Sequence, residues 1–380
     1  MTNQVKIQHT SKDIAEHLDQ VSEFSPVLTR RASREVEVTT QTSVSIVGFK
    51  EELQLKADTP LIRPKGYEVL VKNYYVGLNP IDWKGKKYGF GIYHFPWVNG
   101  RESAGVVAEV GDKVSDLKVG DEVILCSTSY RENKTSTFQE YTLIDSRLVW
   151  KKPSTWDFKQ ASTIGVGLVT SGFILFRSFG IPLDSYKQTK KPRVLLIWGG
   201  ATTVGIYLTQ LARIYGIEII SIASASNVEY LNSLGSSLVI KRESSLVEIE
   251  AHIKDYLKGR RVDFAVDCVS KETAVQLVQI LENIHSSSSE DNRTQLAAIV
   301  GTPKTPSEFV VYKQVVIKEF HENIEFSERF TKLTNEFLLQ NKLTPIRQKV
   351  YSRGLSKIID ALRDLEQYGA RAEKYVVEVA

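Results

Sequence analysis

Two rhythms of hydrophobic and polar residues divide the chain. From Val44 onward short segments alternate with a period of two, as in Ser43-Val44-Ser45-Ile46-Val47 and Tyr67-Glu68-Val69-Leu70-Val71-Lys72, the pattern of strands with one buried face. Ala104-Gly105-Val106-Val107-Ala108-Glu109-Val110-Gly111 and Gly120-Asp121-Glu122-Val123-Ile124-Leu125 follow, bounded by glycine turns. Many short strands punctuated by Gly and Pro predict a compact β domain over about 44–150. After Lys159 strands and helices alternate. Arg193-Val194-Leu195-Leu196-Ile197-Trp198 is a continuous apolar run, as expected of a parallel strand buried on both faces. Gly199-Gly200 comes next, then apolar residues at helical spacing through Ile206, Leu208, Leu211, Ala212 and Tyr215. Further strands are expected at 217–222, 263–268 and 295–301. This alternation predicts an α/β fold with a doubly wound parallel sheet. Residues 1–42 show neither rhythm; they read as a disordered polar tail, with at most a short helix over 12–21. Arg30-Arg31-Ala32-Ser33 within it has the pattern of a basophilic kinase site, and suits a solvated charged tail equally well.

Composition narrows the classes. A length of 380 residues fits two domains. The net charge is +4 with both signs interspersed, which gives no footprint for nucleic acid. Two cysteines, Cys126 and Cys268, supply neither a disulfide framework nor a cysteine-rich zinc cluster, and suggest a reducing compartment. No apolar run approaches the roughly 18 residues that span a bilayer, and the N-terminus lacks a signal-peptide core. A cytoplasmic protein is the expectation.

The segment Trp198-Gly199-Gly200-Ala201-Thr202-Thr203-Val204-Gly205 carries most of the chemistry. A strand entering a Gly-rich turn and then a helix presents free backbone N–H groups and the positive helix end to a pyrophosphate. Gly205 permits tight helix–sheet packing, while Thr202 stands at the middle glycine position of the dinucleotide fingerprint. Past the second strand, Ile222-Ala223-Ser224-Ala225-Ser226-Asn227 contains no carboxylate to bind a ribose 2′-hydroxyl. Ser224, Ser226 and Asn227 suit a 2′-phosphate, with Lys241 and Arg242 adding positive charge, so NADPH is favoured over NADH. The same Ser/Asn cluster also suits a helix cap.

On these features the chain resembles the medium-chain dehydrogenase/reductase superfamily over about 44–380. The resemblance implies a GroES-like β domain over 43–160 and 342–380 and a Rossmann NADPH-binding domain over 161–341. Zinc-dependent members carry Cys-x-x-Asp and Gly-His-Glu motifs. Here the matching segments read Asn79-Pro80-Ile81-Asp82 and Gly100-Arg101-Glu102. Neither Asn79 nor Arg101 rebuilds a three-ligand catalytic site, so no metal is expected. Leu78-Asn79-Pro80-Ile81-Asp82-Trp83-Lys84 and the glycine turn look like the zinc-free branch of quinone oxidoreductases and enoyl reductases, most like its fungal ToxD-like group. That branch also resembles AST-type proteins, dehydrogenase-like chains implicated in membrane-protein delivery; this gives a rival reading as a peripheral adaptor.

Without a Lewis acid an unactivated ketone is a difficult substrate. A conjugated alkene, quinone or reactive aldehyde is already electrophilic, and the expected partner is such a small molecule. The resemblance implies that Lys84 binds substrate or cofactor and delivers a proton, that Asn79 and Thr170 position the nicotinamide or substrate carbonyl, and that Gly301-Thr302 lie beside the nicotinamide. Asp82 is expected to be structural. The aromatic stretch Tyr88, Phe90, Tyr93, Phe95 and Trp97 suits a pocket lining, but reads better as core. A homodimer and peripheral membrane association stay open.

Overall fold

The computed structural model describes residues 39–127, 131–187, 192–285 and 293–380. The helix considered at 12–21 and the motif at Ser33 lie outside them. Residues 38–380 form one compact unit.

Three sheets make the framework. β1 (Thr39–Ile46) pairs antiparallel with β2 (Gln54–Leu61), while β3 (Glu68–Gly77) lies in a larger sheet, and the short β4 (Trp97–Val98) covers the other side of β1. The larger sheet has seven strands. β5 (Glu102–Val110), β6 (Glu122–Cys126) and β8 (Val149–Lys151) extend from one side of β3, and β7 (Tyr141–Asp145) also pairs with β3.

The third sheet is wholly parallel. β9 (Val194–Trp198) sits at its middle, with β10 (Glu218–Ala223) and β11 (Leu238–Lys241) on one side. β12 (Phe264–Asp267), β13 (Thr294–Ala298) and β14 (Val310–Lys313) stand on the other. Chain order thus reverses between β9 and β12, the switch point where open α/β sheets bind ligands. Finally β15 (Arg347–Tyr351) and β16 (Glu373–Glu378) return to the seven-stranded sheet, with β16 antiparallel to β3.

The apolar run of β9 is explained by its two neighbours. Leu195 and Ile197 enter one core with Ile206, Leu208 and Leu211 of the following helix. Val194, Leu196 and Trp198 enter a second core with Ile249, Ile253, Leu277 and Leu281. With both faces covered, every position on the strand must be apolar.

Three expectations change. Residues 39–42, assigned to the polar tail, begin β1, where Gln41 is buried and donates from Nε2 to Gln139 Oε1 at 3.3 Å. The segment's apolar content is low because its pairing is made by polar side chains and backbone. Of the aromatic stretch only Trp97 is core; Tyr88, Phe90, Tyr93 and Phe95 are 44–64% exposed. The helical run Phe158–Ser178 is long and apolar enough to cross a bilayer, but 83% of its apolar window is buried inside the fold. Its apolarity answers to the core around Phe173, Ile174 and Leu175.

Candidate functional site

The chain leaves β9 at Trp198 and turns at Gly199, whose φ of 88° lies in the left-handed region that favours glycine. The helix Thr203–Ile214 begins immediately after the turn. Gly205 lies in its first turn, and a Cβ there would fall 2.4 Å from Gly199 O and 2.7 Å from Gly200 O. Only a residue without a side chain lets the helix sit this close to the strand end. Thr202 is the N-cap. Its Oγ1 accepts the Gly205 N–H at 3.1 Å and donates to Gly199 O at 2.8 Å, which gives the non-glycine at this position a structural reason. The N–H groups of Thr203 and Val204 have no intrahelical acceptor. With Gly199, Ala201 and Thr202 these residues line a cavity of about 950 Å³, near the upper end of the ~300–1,000 Å³ typical of cofactor sites. Turn, unsatisfied donors and close backbone approach fit a dinucleotide pyrophosphate. Gly200 stands behind the turn, where a Cβ would meet Ser221 at 2.8 Å.

Along β10 the wall continues through Ile222, Ala223, Ser224 and Asn227. Ser226 and Lys241 are exposed and outside it; the cation on the wall is Arg242. The Arg242 backbone N–H is bonded to Ala223 O at 2.9 Å, which draws this residue to the end of β10. Glu243 accompanies it, 3.3 Å from Arg242 Nε and accepting the Ala225 N–H at 3.3 Å. A carboxylate therefore stands near the second strand after all, contributed from beyond β11. Past β13 the lining residues are Ile299 and Val300. Gly301 and Thr302, one and two residues further on, are not part of the wall. Cys268 lines the cavity too; burial, then the neighbouring Asp267, pushes its thiol up to about 12. It stays protonated and unreactive at neutral pH.

The opposite wall comes from the seven-stranded sheet and its attached helices. Asn79, Lys84 and Phe90 come from the helix Pro80–Tyr88 and its flanks, Thr170 from the helix Gly165–Gly172, and Lys374 from β16. Thr170 Oγ1 is turned to its own helix, donating to Val166 O at 2.7 Å. Lys84 Nζ stands 5.5 Å from the Trp83 ring centroid.

Behind this wall lies a buried polar cluster that the sequence reading only half recovered. Asn79 Nδ2 donates to Glu102 Oε1 at 2.7 Å, and Lys374 Nζ donates to Asn79 Oδ1 at 2.6 Å. Lys374 is also ion-paired to Glu102, whose Oε2 accepts the Val166 N–H at 2.9 Å. Asp82 Oδ2 accepts the Asn79 N–H at 2.8 Å and starts the helix, the structural part expected of it. Burial pushes the Asp82 carboxyl up to about 6, against the opposing pull of the Arg101 guanidinium, the Asn79 N–H and Lys374. Lys374 went unnoticed because its strand sequence, Glu373-Lys374-Tyr375-Val376-Val377, is unremarkable and its partner is 295 residues away.

Residues 65–154 match the alcohol dehydrogenase GroES-like domain, and 203–284 the zinc-binding dehydrogenase domain. The dehydrogenase pigH of Monascus ruber is 37% identical over 205 residues, 51% of this chain and 55% of that protein. The chain thus spans about half the length of this curated relative. A trans-enoyl reductase of Gibberella fujikuroi is 25% identical over 333 residues, 83% of this chain and 91% of its own length. An alcohol dehydrogenase superfamily protein from Novosphingobium aromaticivorans shares the fold, with a TM-score of 0.73 at 20% identity over 90% of this chain and all of that one.

The zinc in the second domain's description does not fit these residues. Among the described residues no group of three or more His, Cys, Asp or Glu is placed to hold a metal. At the expected ligand positions stand an amide and a guanidinium. Arg101 and Lys374 are two cations beside the carboxylates of Asp82 and Glu102, and a divalent ion there would meet positive charge already balanced.

Proposed function

We propose that this chain, which belongs to the medium-chain dehydrogenase/reductase family, is a metal-independent oxidoreductase that uses NADPH to reduce an activated alkene, quinone or reactive aldehyde. One observation carries the reading: the glycine turn and the Asn79–Lys84 segment face each other across a single cavity. The dehydrogenase and trans-enoyl reductase named for its relatives support it. When bound, the nicotinamide supplies a hydride to the electrophilic carbon.

The residues of this chain do the rest. The N–H groups of Thr203 and Val204 are offered to the pyrophosphate, while Gly199, Gly200, Ala201, Thr202 and Gly205 form the close-packed turn that lets it approach the backbone. Ser224, Asn227 and Arg242 receive the 2′-phosphate. The Asn79 amide donates to the substrate's carbonyl oxygen, where negative charge develops. Lys84 Nζ then gives a proton to the oxygen of an alkoxide or enolate, or to the α-carbon of the enolate, and is recharged from solvent. Ile299, Val300 and Ile317 exclude water from the reacting end.

Fluorescence titration with NADPH and NADH, followed by turnover of enones, quinones and aldehydes, tests the reading. Tight NADPH binding and consumption of NADPH with at least one of these classes are expected. No binding of either nucleotide would overturn it.

A further inference from the structure

Once the cofactor wall and Lys84 have been assigned, a buried ammonium is left over. Lys374 is 2% exposed and Glu102 fully buried, and charges so placed are kept only when paired and hydrogen-bonded. A lysine ammonium has donors only, and a carboxylate acceptors only. An asparagine wedged between them therefore has one orientation, oxygen toward Lys374 and nitrogen toward Glu102. This settles which end of a nearly symmetric amide is which, on a residue that also lines the cavity.

We propose that Lys374 is the positioning cation of this site: with Glu102 it locks the Asn79 amide so that the N–H not given to Glu102 is offered to the substrate's carbonyl oxygen. The proposal rests on the reductase reading above. A neutral residue at 374 would take the Lys374 donor from Asn79 Oδ1, so that the amide, still bonded to Glu102 through Nδ2, could swing its second N–H away from the substrate. It would also take from Glu102 its ion-pair partner Lys374, close to developing negative charge in the substrate. Arg101 lies on the same cluster, acting on Asp82, while Lys374 bonds both Asn79 and Glu102.

The test is a double-mutant cycle of Lys374→Met and Asn79→Ala. It is read on kcat and KM with NADPH and the best substrate among cinnamaldehyde, menadione and methyl vinyl ketone, and on urea unfolding of the cofactor-free protein. Lys374→Met is expected to lower kcat about 100-fold with the NADPH dissociation constant unchanged. In the Asn79→Ala background it should add less than about threefold. Lys374→Arg should restore part of the loss, and the unfolding midpoints of the cofactor-free variants should be non-additive in the same sense. If Lys374→Met does not fold, the pair Lys374→Met with Glu102→Gln removes both buried charges together, and the same fall in kcat is expected. Equal losses in both Asn79 backgrounds, kcat near wild type, or additive midpoints would overturn the positioning role and leave the reductase reading standing. Wild-type protein that binds no NADPH would remove the reductase reading, and the role with it.

Discussion

Asp82 and His321 titrate in opposite senses, and their acid responses oppose each other. Asp82 holds its proton more tightly folded than unfolded, up to about 6 against an ordinary 3.8. Its contribution to stability is therefore lost as pH rises from about 4 to about 6. His321 is half-buried, with Nε2 3.2 Å from Cys126 O, and desolvation brings its ring down to about 4 from 6.5. That contribution is present above about 6.5 and is lost as pH falls toward 4. Relative to wild type, Asp82→Asn should lose more stability on acidification and His321→Gln less, read as urea midpoints across this range. At the cavity wall, Lys84→Ala should lower kcat by about 10²–10⁴, the usual worth of a positioned proton donor. NADPH fluorescence titration of the same variant separates a proton role from a cofactor one. Arg242→Gln should weaken NADPH about tenfold or more, the worth of one charge-assisted hydrogen bond, and leave NADH binding unchanged.

At the scale of elements, the site depends on how closely a helix meets a strand. Gly205→Val would drive side-chain atoms into the carbonyls of Gly199 and Gly200, costing about 1–3 kcal/mol as overpacking. It should lower both the melting temperature and NADPH affinity, because the same backbone forms the turn. Gly167 makes a second close approach, since a Cβ there would lie 2.6 Å from Thr203 Cγ2 and 2.6 Å from the Tyr207 ring. This seats the helix carrying Thr170 against the helix that follows the turn. A third seam joins β3 to β16, where the Leu78 N–H donates to Tyr375 O at 2.9 Å. That bond places Asn79 and Lys374 side by side.

At the scale of the molecule, the cavity is closed by elements far apart in sequence, so a bound ligand should stabilise the whole unit. Saturation with NADPH at a hundred times its dissociation constant should add about 2.7 kcal/mol to unfolding, seen as a rise in melting temperature that NADH matches only at higher concentration. Dialysis against EDTA should leave turnover and melting temperature unchanged, because Asp82 and Glu102 already face Arg101 and Lys374.

What the sequence determined by itself was local. The period-two strands, the apolar run of β9 and the Gly-rich turn are fixed by backbone geometry and by burial on one or both faces, and these leave direct traces in residue order. The same holds for the amide of Asn79 and the guanidinium of Arg101, which are a matter of residue type at two positions. Tertiary structure decided whatever depends on distance through space. It chose Arg242 over Lys241 as the cation on the wall, because a backbone bond to β10 sets the register there. It drew Ile299 and Val300, rather than Gly301 and Thr302, to the cavity, in the two positions that directly follow β13. It exposed most of the aromatic stretch, since hydrophobicity along the chain does not say which rings find a covering surface. Above all it brought Lys374 to Asn79. A lysine is read from sequence as solvated, and only the fold supplies the buried carboxylate and amide that keep its charge inside.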